Sequence, residues 1–145
     1  MKSKSWLAAS CLLMMMACAD AALLVGGTRV IFDQQHAQAT VQISNSGQRP
    51  LLAQMWIDRG NEGARLDEID VPFAITPTVV RLEPGKGQTV RVLQIANGMP
   101  ADRESLFWFN ALEVPPRAEQ AHGGQIMEFA LRTRMKLFYR PRACE

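Results

Sequence analysis

Short stretches in which apolar and polar residues alternate follow one another along most of the chain. Residues 40–44 and 89–95 alternate in this way, while the runs at 51–58 and 105–114 are more apolar and contain tryptophan. Alternation with a period of two places every second side chain on one face of a strand. Turn-forming residues such as those at 45–48 separate the runs. The predicted strands are residues 28–32, 40–44, 51–58, 73–82, 89–95, 105–114 and 125–139.

These runs predict an all-β chain of seven or eight strands, and no sustained helical period interrupts them. Strands spaced about 8–12 residues apart are typical of an immunoglobulin-like β-sandwich with mostly antiparallel strands. Pro77 interrupts the run at 73–82, so we expect an edge strand there, because proline donates no backbone hydrogen bond. We expect Trp56, in the third strand, to lie in the core. The polar segment 59–70 is predicted to be a loop.

The first 22 residues have a different pattern. Lys2 and Lys4 precede an uncharged run at 5–19, and several alanines follow it. A basic start, a short apolar middle and an exit of small residues are typical of a cleavable secretory signal peptide. The run is shorter than the roughly 20 residues that span a bilayer, so we expect no insertion into the membrane. A transmembrane anchor is the alternative interpretation.

We expect cleavage after residue 19, 21 or 22, so that residues 23–145 form the mature domain. Cysteine usage agrees with this interpretation, because Cys11 and Cys18 lie in the removed segment and only Cys144 is left. A secreted domain with one cysteine forms no internal disulfide, and its core must stabilise the fold. A lipoprotein signal, acylated at Cys18, is a second alternative.

Charge and motif content argue against several classes of function. The chain has 16 Lys+Arg and 14 Asp+Glu, a formal net charge of +2, which predicts no nucleic-acid partner. His36 and His122 have no second His or Cys at a metal-ligand spacing, and no serine lies in a G-x-S-x-G motif. Segment 84–89 lacks the spacing of a phosphate-binding loop, and we interpret it as a turn. We therefore predict no catalytic residues, no metal, no cofactor and no enzymatic activity.

The last predicted strand, residues 125–139, has an unusual pattern. Met127, Phe129 and Leu131 alternate with other residues, so a period of two places these three on one face. Arg134 and Lys136 follow them. On this pattern alone, an ordinary strand with its apolar face in its own core is the simpler interpretation.

Four motifs change that interpretation when they are taken together. They are Gly-Thr-Arg-Val-Ile-Phe at 27–32, Arg-Leu-Glu-Pro-Gly at 81–85, Asp-Arg-Glu-Ser-Leu-Phe-Trp-Phe-Asn at 102–110 and Lys-Leu-Phe-Tyr-Arg-Pro at 136–141. In content and order the chain resembles the periplasmic pilus-assembly chaperones, the PapD-like family. The resemblance covers nearly all of the chain after residue 22 and is weakest in the loop at 59–70.

The resemblance implies a periplasmic chaperone whose partners are pilus subunits and an outer-membrane usher. Such subunits are immunoglobulin-like folds without their final strand, and the chaperone donates its own last strand to fill the groove. By motif position, the donated residues would be Met127, Phe129 and Leu131. An exposed donor strand would also permit self-association of two copies.

Three further residues gain a role from the same resemblance. Arg29 and Lys136 match the pair that binds the C-terminal carboxylate of the subunit, and Thr28 lies beside that site. Without the resemblance, Arg29 and Lys136 would be interpreted as solvated surface charges. Charge-assisted hydrogen bonds to a terminal carboxylate would fix the register of the bound strand.

The resemblance also implies a two-domain architecture, of which this chain matches the first domain. Glu104 and Arg140 match residues of an ionic network whose acidic partner lies in the second domain. Since the sequence stops at Glu145, we expect either a truncated chain or loss of that domain. The short segment between residues 116 and 125 has no cysteine, which resembles the subgroup that serves rod-like adhesive pili.

Two other classes of function stay open at this point. One is an immunoglobulin-like structural or adhesive domain without subunit capture, and the other is a periplasmic enzyme. Arg29 and Lys136 discriminate between the chaperone and the structural domain, because a structural domain has no need of a cationic pair at a binding site.

Overall fold

A computed structural model describes residues 22–114, 116 and 129–144 of the chain. The predicted signal peptide, the predicted donor residue Met127 and the segment 117–128 lie outside the described residues, apart from Ala22. Within the described residues, nine strands form two sheets around one core. The strands are β1 (Leu23–Val25), β2 (Arg29–Asp33), β3 (Gln38–Asn45), β4 (Leu51–Asp58), β5 (Phe73–Thr76), β6 (Val79–Leu82), β7 (Gly87–Gln94), β8 (Ser105–Val114) and β9 (Leu131–Arg140).

The strand order is β1-β3-β7-β5 in the first sheet and β2-β9-β8-β4-β6 in the second. Among the pairs that the described residues form, β2 and β9 run parallel and the other pairs are antiparallel. The predicted all-β, immunoglobulin-like class is confirmed. The predicted number of strands is too low, because β1 is only three residues long and the run at 73–82 forms two strands.

The run at 73–82 divides at Pro77. Phe73–Thr76 belongs to the first sheet and Val79–Leu82 to the second, and a cis peptide bond joins Thr76 to Pro77. The prediction of a single strand is therefore wrong. Both strands nevertheless lie at an edge of their sheet, as the proline predicted.

Aromatic side chains form the centre of the core between the two sheets. The rings of Phe32 and Phe73 lie 5.1 Å apart, and Phe73 meets Phe107 edge-on at 5.0 Å. The prediction that Trp56 belongs to this core is wrong. Met55 and Ile57 take the core side of β4, so Trp56 lies half-buried on the outer face. Leu52 and Trp56, which lie opposite the core residues of β4, hid this orientation in the sequence pattern.

The last strand begins at Leu131, and Phe129 and Ala130, which the sequence placed inside it, precede it. The register explains this start, because Leu131 pairs with Glu113 near the end of β8. Residues before Leu131 therefore have at most the end of β8 beside them. The predicted loop at 59–70 is confirmed, with one 3-10 turn at Leu66–Glu68.

Candidate functional site

Arg29 and Lys136 are neighbours in the second sheet. The parallel register of β2 and β9 pairs the two residues, and both side chains are exposed. Neighbouring strands lie about 4.8 Å apart and paired residues project from the same face. Among the described residues neither cation has a carboxylate partner. Two adjacent cations of this kind form a site for an anion, and Thr28, also exposed, lies at its border.

Trp108 extends this pair to a third strand. It is the register partner of Lys136 on β8, and the Lys136 Nζ lies 5.9 Å from the centre of the indole ring. The Arg134 guanidinium lies over the same ring at 4.3 Å. Such contacts attract a cation to the ring face. Trp108 therefore holds Lys136 close to the sheet surface, a contribution that the sequence analysis did not identify.

Glu104 and Arg140 are also brought together by the fold. Arg140 Nε donates a hydrogen bond to Glu104 Oε1 at 2.7 Å, at the far end of β9 from Leu131. Their ion pair lies near Asp33, and the Gln35 backbone N–H, His36 and Arg140 hold the pKa of Asp33 below its usual value. The pairing of Glu104 with Arg140 is thus observed within this domain, and their link to a second domain stays a prediction.

An apolar row separates this ion pair from the cationic pair. The register aligns Ile31, Phe138 and Leu106 across three strands, and Ile31 and Leu106 are exposed. The outer face of the sheet thus presents cations, then apolar side chains, then an ion pair.

The two halves of β9 have different neighbours. Residues 136–140 pair with β2 on one side and with β8 on the other. Residues 131–135 pair with β8 but with no strand on the β2 side among the described residues. Within the part of the chain that the structure describes, that side of β9 is an open strand edge, and it ends beside Arg29 and Lys136. An open edge of this kind is a template for another strand.

The path of the chain before β2 explains why the edge is open. β1 pairs with β3 in the first sheet, and the chain then crosses to the second sheet before Arg29. Gly27 lies in this crossing with a φ of +87°, a conformation that glycine adopts without strain. Because β2 begins only at Arg29, no residue of β2 lies beside Leu131–Met135.

Burial along the core-facing side of β9 falls toward the open edge. Tyr139 and Leu137 are fully buried and Met135 is 6% exposed, but Leu131 is 47% exposed. Phe129, just before the strand, is 76% exposed. The predicted donor residues within the described part of the chain are therefore large apolar side chains in contact with solvent. Met127 lies outside the described residues.

The outer face of the same half-strand is tied to the domain by polar contacts. Asp58, whose side chain is 2% exposed, accepts hydrogen bonds from Asn110 Nδ2 at 2.8 Å and from Arg134 Nη2 at 3.0 Å. Arg132 Nη2 donates to Asn110 Oδ1 at 2.7 Å, and Arg134 also pairs with Glu62. We call Asp58, Glu62, Asn110, Arg132 and Arg134 the arginine cluster.

Asp58 is ionised in this cluster. Burial alone would raise the pKa of Asp58, but hydrogen bonds from the Gly60 backbone N–H, from Asn110 and from Arg134 outweigh it and hold the pKa below its usual value. The negative charge at the centre of the cluster is thereby preserved at neutral pH.

The described residues contain no group of three or more His, Cys, Asp or Glu side chains that could hold a metal ion. No helix in that part of the chain is long and apolar enough to cross a membrane.

Comparison with known proteins identifies the family. Residues 22–145 match the model of the pili and flagellar-assembly chaperone, PapD N-terminal domain. The chain belongs to this family. The chaperone FimB/FhaD of Bordetella pertussis is 48% identical over 130 residues, which cover 86% of this chain and 52% of that protein. PapD of Escherichia coli is 44% identical over 128 residues, which cover 86% of this chain and 51% of PapD.

Solved structures of chaperones share the fold. The Pseudomonas aeruginosa CupB2 chaperone is 42% identical, with a TM-score of 0.73 over 84% of this chain and 57% of that one. A chain in the structure of the Salmonella enterica SafA pilin in complex with the SafB chaperone is 28% identical, with a TM-score of 0.76 over 89% of this chain and 59% of that one.

The chain spans about half the length of the curated relatives that it matches. Membership of the PapD family confirms the resemblance that the four motifs indicated. It also confirms that this is not an enzyme family, because its members are assembly chaperones.

Proposed function

We propose that this chain is the subunit-binding domain of a periplasmic pilus-assembly chaperone. It caps an incomplete pilus subunit by adding β9 to the subunit, and it anchors the C-terminal carboxylate of the subunit at Arg29 and Lys136. The observation that carries this proposal is the open edge of β9, which ends beside these two cations.

The direction of the bound strand follows from this arrangement. A subunit strand that pairs with Leu131–Met135 and ends in a carboxylate at Lys136 runs parallel to β9. It takes the place that β2 would occupy if β2 continued before Arg29. Its backbone groups then pair with those of β9, which removes an edge prone to aggregation.

The two faces of β9 suit the two demands of such a complex. Phe129 and Leu131 are exposed apolar side chains that can fill the groove of a subunit without its last strand. Met127 extends the same alternation toward the chain start. A carboxylate leaves water only where cations and hydrogen-bond donors replace its hydration, and Arg29, Lys136 and Thr28 supply both.

Three further statements belong to the same proposal. Residues 1–22 direct export and are removed, which places the domain in the periplasm. Glu104 and Arg140 join an ionic network with a second domain, as in a longer chaperone. The usher of the outer membrane receives the chaperone–subunit complex. The solved structure of the Salmonella enterica SafA pilin in complex with the SafB chaperone supports the choice of a pilin as partner.

Capture of a pilin tests the proposal. The chain is co-expressed in the periplasm with each pilin that the source genome encodes, and the complexes are purified through a tag on the chain. We expect one or more pilins to co-purify. We expect capture to fail when the same pilin carries two added residues at its C-terminus, because the carboxylate is then displaced from Arg29 and Lys136.

Two results would overturn the proposal. One is the absence of any pilin in complex with a folded chain, which favours a structural or adhesive module. The other is equal capture of the native and the extended pilin, which removes the role of the carboxylate. Lys136→Ala in the chain should also prevent capture, and Lys86→Ala, a change of an exposed lysine in the turn before β7, is its matched control.

A further inference from the structure

The open half of β9 is held to its own domain by backbone pairing with β8, by buried Met135 and by the side chains of its outer face. Its core-facing side ends in exposed Leu131, and its β2 side has no strand among the described residues. On the outer face, in contrast, Arg132 and Arg134 are half-buried and hydrogen-bonded. The outer face therefore adds side-chain contacts to the backbone pairing that keeps this segment next to β8.

From this we infer that the arginine cluster is a positioning device, which holds residues 131–135 as a preformed strand before any subunit binds. The inference rests on the proposed function, since it concerns the strand that the chain would donate. Arg132, Arg134 and Asp58 are positioning residues in this scheme, because they act through β9 and do not touch the subunit groove.

The cluster joins three elements at one buried charge. Asp58 ends β4, Asn110 lies in β8, and Arg132 and Arg134 lie in β9. The Gly60 backbone N–H donates to Asp58 Oδ1 at 2.6 Å, so the loop after β4 also fixes the carboxylate. Because the carboxylate is buried and multiply bonded, this cluster is not screened as surface ion pairs are.

Two tryptophans complete the cluster from the sheet side. The Arg132 guanidinium lies 4.9 Å from the centre of the Trp56 ring, and the Arg134 guanidinium lies 4.3 Å from that of Trp108. Each arginine thus contacts both an aromatic ring and an oxygen acceptor. This arrangement restricts rotation of the strand about its own axis.

The register of β9 is the property that the cluster protects. A slip by one residue would move Leu131 to the outer face and Arg132 to the groove side. Strands with one open side fray readily, and a frayed donor must be ordered at the cost of affinity when the subunit binds. A cluster that fixes alternate residues 132 and 134 keeps residues 129 and 131 aimed at the groove.

Trp108 connects the cluster to the carboxylate anchor. The same indole ring contacts Arg134 and, at 5.9 Å, Lys136 Nζ. The side chains of residues 132, 134 and 136 therefore form one continuous row of supported cations. The outer face of the second sheet therefore fixes both the register of β9 and the position of Lys136.

Segment-resolved hydrogen exchange tests the inference on the full chain. Asp58→Asn removes the charge at the centre of the cluster and keeps a side chain of similar shape. Asp67→Asn is the matched control, because Asp67 pairs with Arg65 on an exposed turn. In Asp58→Asn we expect the amide exchange rate to rise in peptides that cover residues 131–135. The factor of this increase should be at least ten times the factor for peptides of β3 and β7. The control variant should match the unchanged protein.

A purely structural role gives a different result. It raises exchange in all strands by the same factor, and that outcome overturns the inference, as does unchanged exchange at residues 131–135. Should Asp58→Asn fail to fold, Arg134→Ala and Arg134→Lys replace it. Here we expect local exchange to rise in the alanine variant and to be partly restored by lysine, which keeps the charge near Trp108.

The rate of pilin capture provides the second readout. We expect the association rate of a captured pilin to fall at least fivefold in Asp58→Asn under conditions in which the domain is folded. A failure of the unchanged chain to capture any pilin refutes the proposed function, whereas the exchange measurement still decides this inference. Equal capture rates in Asp58→Asn and Asp67→Asn would refute the positioning role.

Discussion

Arg29 and Lys136 are paired across β2 and β9, so that two cations far apart in sequence emerge side by side from one face of the sheet. The open edge of β9 ends at the same place. In the proposed function this arrangement would meet two requirements of subunit capture, a partner for an unpaired strand and a partner for its terminal carboxylate. A structural module has no use for either in this position.

The first prediction concerns Arg29 and Lys136 as a unit. In the complex, Arg29→Ala and Lys136→Ala each remove one cationic partner of the C-terminal carboxylate of the pilin. We therefore expect each variant to weaken pilin binding by about 2–5 kcal/mol. Because the two cations share one ligand, the double variant should lose less than the sum of the single losses. Titration calorimetry with a purified pilin measures all three values.

The melting temperature serves as the control for this comparison of the single and double variants. Both side chains are exposed, so we expect the variants to unfold at nearly the temperature of the unchanged domain. Normal pilin binding by a folded Lys136→Ala variant contradicts the prediction. Lys86→Ala should leave both binding and melting unchanged.

The second prediction concerns the start of the mature chain. Lys2, Lys4 and the short apolar run predict export and cleavage. Mass spectrometry of periplasmic extracts should find a mature N-terminus between Asp20 and Leu23. An intact Met1 on membrane-embedded protein contradicts this, and a lipid mass on Cys18 supports the lipoprotein alternative.

The strength of the sequence pattern decided how much of the fold could be predicted. The strands at Leu51–Asp58 and Ser105–Val114 match their predicted limits, because prolines or polar residues bound each run of apolar residues. β1 was missed because three residues show no period. Trp56 was misplaced because Leu52 and Trp56 make the outer face of β4 partly apolar, and only the partner strands decide which face is buried.

The candidate site divides in the same way. Motif positions identified Arg29 and Lys136, and the strand register brings them together. The arginine cluster had no such signal, because Asp58 and Arg134 lie 76 residues apart and β4 and β9 do not pair directly. Contacts made across an intervening strand are invisible to any local pattern.

The third prediction concerns stability in acid. The pKa of Asp58 lies below its ordinary value of 3.8, so folding favours the ionised carboxylate. A group of this kind stabilises the fold above its unfolded pKa, and the contribution is lost as pH falls through the folded pKa. We expect the free energy of unfolding to be level above about pH 5 and to fall below about pH 4. Urea titrations at a series of pH values measure it.

Asp58→Asn isolates the contribution of Asp58 to this loss of stability at low pH. The pKa values of Asp33 and Asp67 are also lowered, by the Gln35 backbone N–H and by the Arg65 side chain respectively. Both carboxyls are more accessible to salt than Asp58, so we expect added salt to reduce their share. At high salt the fall in the free energy of unfolding at low pH should persist in the unchanged chain and should be much smaller in Asp58→Asn. An identical fall in the free energy of unfolding at low pH in both proteins contradicts the prediction.

The fourth prediction separates the donor strand from an ordinary core strand. Phe129 is 76% exposed, so Phe129→Glu adds a charge in contact with water and should change the free energy of unfolding by less than about 0.5 kcal/mol. The same charge would have to enter the apolar groove of the subunit, so pilin capture should be abolished. Phe107→Glu is the matched control, because Phe107 lies in the core and its replacement should unfold the domain.

Thermal unfolding and pilin pull-down on Phe129→Glu therefore give opposite answers for the two interpretations. A folded variant that no longer captures a pilin supports strand donation, whereas loss of cooperative melting places Phe129 in a closed core.

Both measurements are repeated at several protein concentrations, because an open edge with exposed Phe129 and Leu131 also favours pairing between two copies. Since the added carboxylates would repel each other in such a dimer, the variant should remain monomeric at concentrations at which the unchanged chain associates. A variant that captures pilin normally while it stays monomeric would show that Phe129 mediates self-association alone.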